Sequence, residues 1–69
     1  MDDLFWDATY AISMALIEKY PTIDIENVGL EQLNDMILAL PAFYDDPRLV
    51  TNQILLDIQT IWYEEATTL

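Results

Sequence analysis

Three prolines and a single glycine interrupt this sequence, and they restrict how its helices can be arranged. A proline inside a helix removes a hydrogen bond and clashes with the preceding turn, and it disfavours the α conformation of the residue before it. Pro21 therefore ends a first helix, which we predict over residues 8–20, and Pro41 closes a second helix that runs to about Leu40. The prolines thus predict several short helices rather than one long one.

Apolar residues recur every three to four positions within each segment, which is the period of an amphipathic helix. The predicted stripes are Ala8, Ile12, Ala15, Leu16 and Tyr20 in the first segment, Leu30, Leu33, Ile37 and Leu40 in the second, and Ile54, Ile58, Ile61 and Trp62 in the third. Asp46 and Pro47 precede the third stripe with the pattern of an N-cap followed by proline at the first helical position, so we predict that they begin the final helix. Residues 21–29 are predicted to form a loop with at most one helical turn, capped by Asp24.

The number of residues limits the architecture further. A chain of 69 residues forms one domain, and no two segments have the pattern of a hairpin. We therefore predict an all-α fold: a single domain over residues 1–69 with three to four helices in a helix-turn-helix-like bundle. A domain of about this size buries only about 60% of the surface that its unfolded chain exposes, so we expect its function to lie on the surface.

The charge of the chain excludes several kinds of partner. Thirteen Asp and Glu residues stand against two basic residues, Lys19 and Arg48, which gives a formal net charge of −11. Such a field repels DNA, RNA and anionic membranes, and it attracts basic protein surfaces and metal cations. We therefore expect no nucleic-acid partner and no membrane partner, despite the helix-turn-helix-like order of the helices.

The residue types of the common catalytic mechanisms are missing. The sequence contains no His and no Cys, which removes the usual general base, the usual thiol nucleophile and the usual ligands for zinc, copper or iron–sulfur clusters. Adjacent carboxylates such as those of Asp45 and Asp46 lie in loops or near helix ends, where solvent keeps them ionised. We therefore expect no enzymatic activity and no tightly bound cofactor. A metal held by exposed carboxylates alone would bind weakly.

The start of the sequence has no targeting pattern. It is acidic, and no apolar run approaches the roughly 20 residues that span a bilayer. A cytoplasmic, monomeric protein is the expectation.

Most of the aromatic side chains are expected in the core or at its rim, because a small helical domain needs their bulk. This group comprises Trp6, Tyr10, Tyr20, Phe43 and Trp62. Tyr44 follows Phe43 in a loop and Tyr63 falls just off the third stripe, so these two are candidates for exposed recognition residues.

Three motifs follow one another along the chain. Tyr20-Pro21 ends the first helix, Phe-x-Asp-Asp-Pro occupies residues 43–47, and Ile-Leu-x-x-Ile-x-x-x-Trp-x-x-Glu runs from Ile54 to Glu65. With these separations the chain resembles the IscX family, the small acidic proteins of bacterial iron–sulfur cluster assembly. The resemblance extends without gaps from about Leu4 to Ala66.

The resemblance implies a fold of modified winged-helix type and an adaptor or regulatory role that overlaps that of bacterial frataxin. It further implies binding to the cysteine desulfurase that supplies sulfur, and weak binding of iron on the acidic surface. The acids that the chain shares with the family are the predicted desulfurase contacts, and all of them except Asp24 are also the predicted iron ligands. These residues are Glu18, Asp24, Asp45, Asp46, Glu64 and Glu65.

The chain departs from the family pattern mainly on its first helix. Ala8, Ala11 and Met14 stand where the family carries acids, so this helix is a less favourable place for iron. Desulfurase docking depends less on this helix, because the overall charge remains −11.

A second hypothesis follows from the same charge. A small chain with many carboxylates can act as a mimic of nucleic acid that blocks a basic protein. Capture of a nuclease or polymerase, with no desulfurase, would favour that function.

Overall fold

The computed structural model describes residues 3–68 and contains three α-helices. These are α1 (Thr9–Lys19), α2 (Leu30–Leu38) and α3 (Asn52–Thr68). Two 3-10 helices of one turn lie in the connections, the first at Ile25–Asn27 and the second at Pro47–Leu49. The predicted all-α fold is confirmed. Among residues 3–68 there is no helix both long and apolar enough to cross a bilayer.

The winged-helix detail is not confirmed. Residues 3–68 contain no strand, and the only β-type contact among them is an isolated parallel bridge between Leu4 and Phe43. The Leu4 N–H donates to the Ala42 carbonyl at 2.7 Å, and the Leu4 carbonyl accepts from the Tyr44 N–H at 3.1 Å. This bridge fixes the segment before α1 against the loop that follows α2.

The helix boundaries follow the prolines, with one correction at the start of α3. Asp46 does cap a helix, since its Oδ1 accepts from the Arg48 N–H at 2.9 Å, but that helix is the single turn Pro47–Leu49. Thr51 caps α3 instead, because its Oγ1 accepts from the Ile54 N–H at 3.2 Å. The prediction that Asp46 and Pro47 begin the final helix is therefore wrong, although they do begin a helical turn.

The core lies between α1 and α3 and is closed by α2. Its most buried apolar side chains, each 0% exposed, are Ile12 and Leu16 of α1, Leu33 and Ile37 of α2, and Ile58 and Trp62 of α3. All six belong to the predicted stripes, and full burial of side chains of this kind stabilises a fold by about 1.5–3 kcal/mol each. Ser13 is also buried, and its hydroxyl lies 2.8 Å from the Thr9 carbonyl and 3.0 Å from the Ile58 carbonyl, so its polar group is satisfied at the α1–α3 interface.

Candidate acidic docking groove

A groove lies between the first 3-10 helix and the C-terminal half of α3. It has a volume of about 390 Å³ and is lined by Ile25, Glu26, Gln59, Thr60, Tyr63 and Glu64. Gln59 Nε2 donates to the Val28 carbonyl at 2.8 Å and so ties the segment after the 3-10 helix to α3. We call this feature the acidic groove.

The acidic groove places one aromatic side chain, that of Tyr63, among acidic residues. Tyr63 is 41% exposed, as its position off the α3 stripe predicts. Hydrogen bonding to Glu26, together with the negative charge of that carboxylate, raises the pKa of Tyr63, and smaller contributions come from desolvation and from the charge of Asp24. Glu64 lines the same groove from the next position on α3. The groove therefore combines an exposed aromatic ring with negative charge from Glu26 and Glu64 in its lining and from Asp24 nearby.

Both basic side chains of the protein are engaged elsewhere. Lys19 Nζ donates to the Ala39 carbonyl at 3.1 Å and lies 5.8 Å from the centre of the Tyr20 ring. Arg48 pairs with Asp46, with its Nε 3.2 Å from Oδ1 and its Nη2 3.0 Å from Oδ2. Because the sequence has no other Lys or Arg, no basic side chain of the protein neutralises the acidic groove.

Of the six predicted site residues, Glu64 lines this groove, and Asp24 lies near enough for its charge to raise the pKa of Tyr63. Glu26, which completes the group, was missed because the sequence prediction considered only the acids shared with the family. Its position two residues after Asp24, in a segment predicted to hold one helical turn, was the available signal. The turn places Glu26 against Tyr63 of α3, and this long-range contact is not encoded in any local motif.

Asp45 and Asp46 form a clamp on the segment before α1. Asp45 Oδ2 accepts from the Trp6 N–H at 2.9 Å, and Asp45 Oδ1 accepts from the Asp46 N–H at 2.7 Å. The Trp6 indole N–H donates to the Asp46 carbonyl at 2.8 Å, and the indole packs edge-to-face on Phe43 with ring centres 4.6 Å apart. The two Asp side chains therefore have structural partners, in addition to any contact with another protein.

Glu18 and Glu65 lie away from the acidic groove. Glu18 is exposed and lines a second, more apolar groove of about 420 Å³, beside Leu4 and Leu40. Glu65 faces α1, where hydrogen bonding to its carboxylate and the charge of that group raise the pKa of Tyr10. The predicted contact residues thus occupy several separate surfaces.

Two of the aromatic predictions have clear outcomes. Tyr44 is 65% exposed and Tyr63 is 41% exposed, which confirms the predicted exposure of both, while their role in recognition stays a prediction. Tyr10 was predicted in the core or at its rim, and this is wrong because Tyr10 is 57% exposed. Tyr10 precedes the buried Ile12 by two positions on α1, and two positions correspond to about half a turn, so its ring points to the opposite side.

The predicted iron ligands do not converge. Between residues 3 and 68, no group of three or more acidic side chains is close enough to hold a metal ion. Both oxygens of Asp45 accept hydrogen bonds from main-chain N–H groups, and both oxygens of Asp46 contact Arg48. Glu18 and Glu64 are exposed and lack these contacts. Weak iron binding stays a prediction.

Comparison with known proteins agrees with the sequence resemblance. A family model described as iron-sulphur cluster assembly matches residues 4–67. An uncharacterised protein of Pseudomonas aeruginosa is 34% identical to this chain over 62 residues, which cover 90% of this chain and 94% of the relative.

Proposed function

The chain belongs to the iron-sulphur cluster assembly family, the IscX family that its sequence resembles, and from this premise we propose that it is a non-catalytic accessory protein of cluster assembly. In this proposal it binds a cysteine desulfurase in the cytoplasm through its acidic surface and acts as an adaptor or regulator. The acidic groove is the part of that surface that we assign to the contact.

One observation carries this assignment. Glu26 and Glu64 line the same groove as Tyr63, and the charge of Asp24 acts on that tyrosine, while both basic side chains of the protein are engaged elsewhere. A field that the chain itself leaves uncompensated accelerates encounter with a basic surface and fixes the orientation of docking. An exposed tyrosine supplies apolar contact area at a low cost in conformational entropy.

The non-catalytic part of the proposal has support from residue chemistry. The chain supplies neither an imidazole nor a thiol. Its buried hydroxyl, that of Ser13, lies within hydrogen-bond distance of two main-chain carbonyls instead of a base. These features favour a protein that acts by binding.

We also propose weak iron binding by the exposed carboxylates of Glu18 and Glu64. Each offers one carboxylate with solvent on its other side, so water molecules would complete the coordination of a hard cation. Anaerobic titration with iron(II), followed by NMR, is expected to broaden the signals of these two residues at millimolar metal before those of Asp45. Equal broadening along the whole chain, or none, would contradict the proposal.

The desulfurase proposal is tested by measuring binding to a purified cysteine desulfurase at increasing salt. Exposed charges more than about 8 Å apart are screened at physiological ionic strength, so the dissociation constant is expected to rise steadily with salt. No association at low salt, or an affinity independent of salt, would refute docking through the acidic surface. Capture of a nuclease or polymerase from the source cell, without desulfurase, would support the nucleic-acid mimic instead.

A further inference from the structure

The geometry points to an arginine side chain of the protein partner as the group that enters the acidic groove. We infer that its guanidinium lies over the Tyr63 ring and pairs with the carboxylates of Glu26 and Glu64. This inference rests on the proposed function, because it takes the arginine to be part of the docking partner.

The shape of a guanidinium suits this groove better than a compact cation does. The groove is lined by two acidic residues, Glu26 and Glu64, and no group of three acidic side chains among residues 3–68 could hold a metal ion. A guanidinium is planar, carries five N–H donors and can bond to two separate carboxylates at once. A lysine ammonium has three donors on one compact atom and is more strongly hydrated, so it spans two separate carboxylates less well and loses more hydration on entering.

The aromatic ring adds a second preference for arginine. A guanidinium stacks on the face of a tyrosine, and such cation–π contacts are made more often by Arg than by Lys. The 41% exposure of Tyr63 leaves part of its ring accessible from the groove. The other lining residues, Ile25, Gln59 and Thr60, provide aliphatic surface along which the arginine methylenes can lie.

The groove is held in shape before any partner arrives. Gln59 Nε2 donates to the Val28 carbonyl at 2.8 Å and so holds the segment after the first 3-10 helix against α3. Glu26 lies close enough to Tyr63 to raise the pKa of its hydroxyl. A carboxylate has about four lone-pair sites, so Glu26 can accept from a guanidinium without losing its interaction with Tyr63. Binding therefore orders few additional rotamers, which lowers its entropic cost.

Short peptides test the inference on the full chain. The probes are acetyl-Gly-Arg-Gly-amide and the same peptide with lysine or citrulline at the centre, and chemical shifts are followed by NMR. We expect the arginine peptide to shift the signals of Gln59, Thr60 and Tyr63. It should bind about three- to tenfold more tightly than the lysine peptide. The neutral citrulline peptide should leave the chemical shifts unchanged.

Two variants at one position separate the ring from the hydroxyl. Tyr63→Phe keeps the ring and frees the Glu26 carboxylate, so arginine-peptide binding is expected to be retained or strengthened. Tyr63→Leu keeps apolar surface but removes the π face, and binding should weaken about three- to tenfold. Tyr44→Leu, at the exposed tyrosine of the loop that follows α2, is the matched control and should bind as the parent does.

The outcomes distinguish this inference from the proposed function. If the lysine peptide binds as well as the arginine peptide, or if Tyr63→Leu binds as the parent does, the arginine inference is overturned even where the desulfurase still binds. If the arginine peptide binds as expected and the desulfurase does not, the chemistry of the groove holds and the proposed partner is refuted.

Discussion

Substitution of Asp45 tests whether the Asp-Asp-Pro motif is structural. Asp45→Ala removes the acceptor of two main-chain hydrogen bonds, from the Trp6 N–H at 2.9 Å and from the Asp46 N–H at 2.7 Å. Hydrogen bonds to a charged group contribute about 1.5–3 kcal/mol each when buried. The Asp45 side chain is only partly buried, and water can replace part of each bond, so we expect a total loss of about 2 kcal/mol in the free energy of unfolding.

The assay is urea and thermal unfolding followed by circular dichroism. A loss of about 2 kcal/mol corresponds to a fall in Tm of roughly 8–16 °C for a domain of this size. Asp45→Asn should lose nearly as much stability. Its amide has one acceptor oxygen, whereas the Trp6 and Asp46 N–H groups each bond to a separate oxygen of Asp45. Asp35→Ala, at an exposed position of α2, is the control and should stay within about 0.5 kcal/mol of the parent. If Asp45→Ala is as stable as Asp35→Ala, the clamp does not hold the segment before α1 and the structural interpretation of the motif fails.

The remaining predictions concern the groove and the two tyrosines whose pKa is raised. Glu26→Gln removes the carboxylate whose hydrogen bonding and charge raise the pKa of Tyr63. Absorbance titration of tyrosinate should therefore show one tyrosine ionising at a lower pH than in the parent, and an unchanged titration curve would contradict the contact. The pKa values of Tyr10 and Tyr63 are raised above the ordinary value of 10.0. The stability that these tyrosines contribute is therefore fully present below pH 10 and is lost as the pH rises through their folded-state pKa values. Urea unfolding should show this loss in the parent and less of it in a Glu26→Gln, Glu65→Gln double variant. Gln59→Ala removes the hydrogen bond to the Val28 carbonyl. This change should lower the free energy of unfolding by about 1 kcal/mol and speed the hydrogen exchange of residues 25–28. Exchange protection equal to that of the parent would show that other contacts hold the segment.

The helices were predictable because their signals are local. A proline acts on the residue before it, and an apolar stripe repeats within one segment, so Pro21 and Pro41 located the ends of α1 and α2 to within two residues. The start of α3 was misplaced for the same reason. Asp46-Pro47 is a genuine N-terminal signal, but a local signal does not reveal that the helix it begins ends after one turn.

The site was only partly predictable because its contacts connect distant residues. Asp45 was predicted as a partner contact, yet its carboxylate bonds to Trp6, 39 residues away, and this clamp has no sequence signature. Glu26 meets Tyr63 because the fold packs the first 3-10 helix against α3, with Ile25 and Val28 in the core and Gln59 bonded to the Val28 carbonyl. Overall acidity was readable from composition, whereas the separation of Asp24 and Glu64 from Glu18 and Glu65 depends on the folded arrangement.

The most direct test of the acidic groove compares two variants of equal charge. Glu26→Lys with Glu64→Lys alters the groove, and Glu31→Lys with Asp35→Lys alters the exposed face of α2. Each pair of substitutions raises the formal net charge by four, from −11 to −7. Calorimetric titration with purified cysteine desulfurase should show at least about a tenfold loss of affinity for the groove variant and less than about threefold for the α2 variant. Equal losses in the two variants would mean that the partner responds to total charge alone, and would contradict docking through the groove.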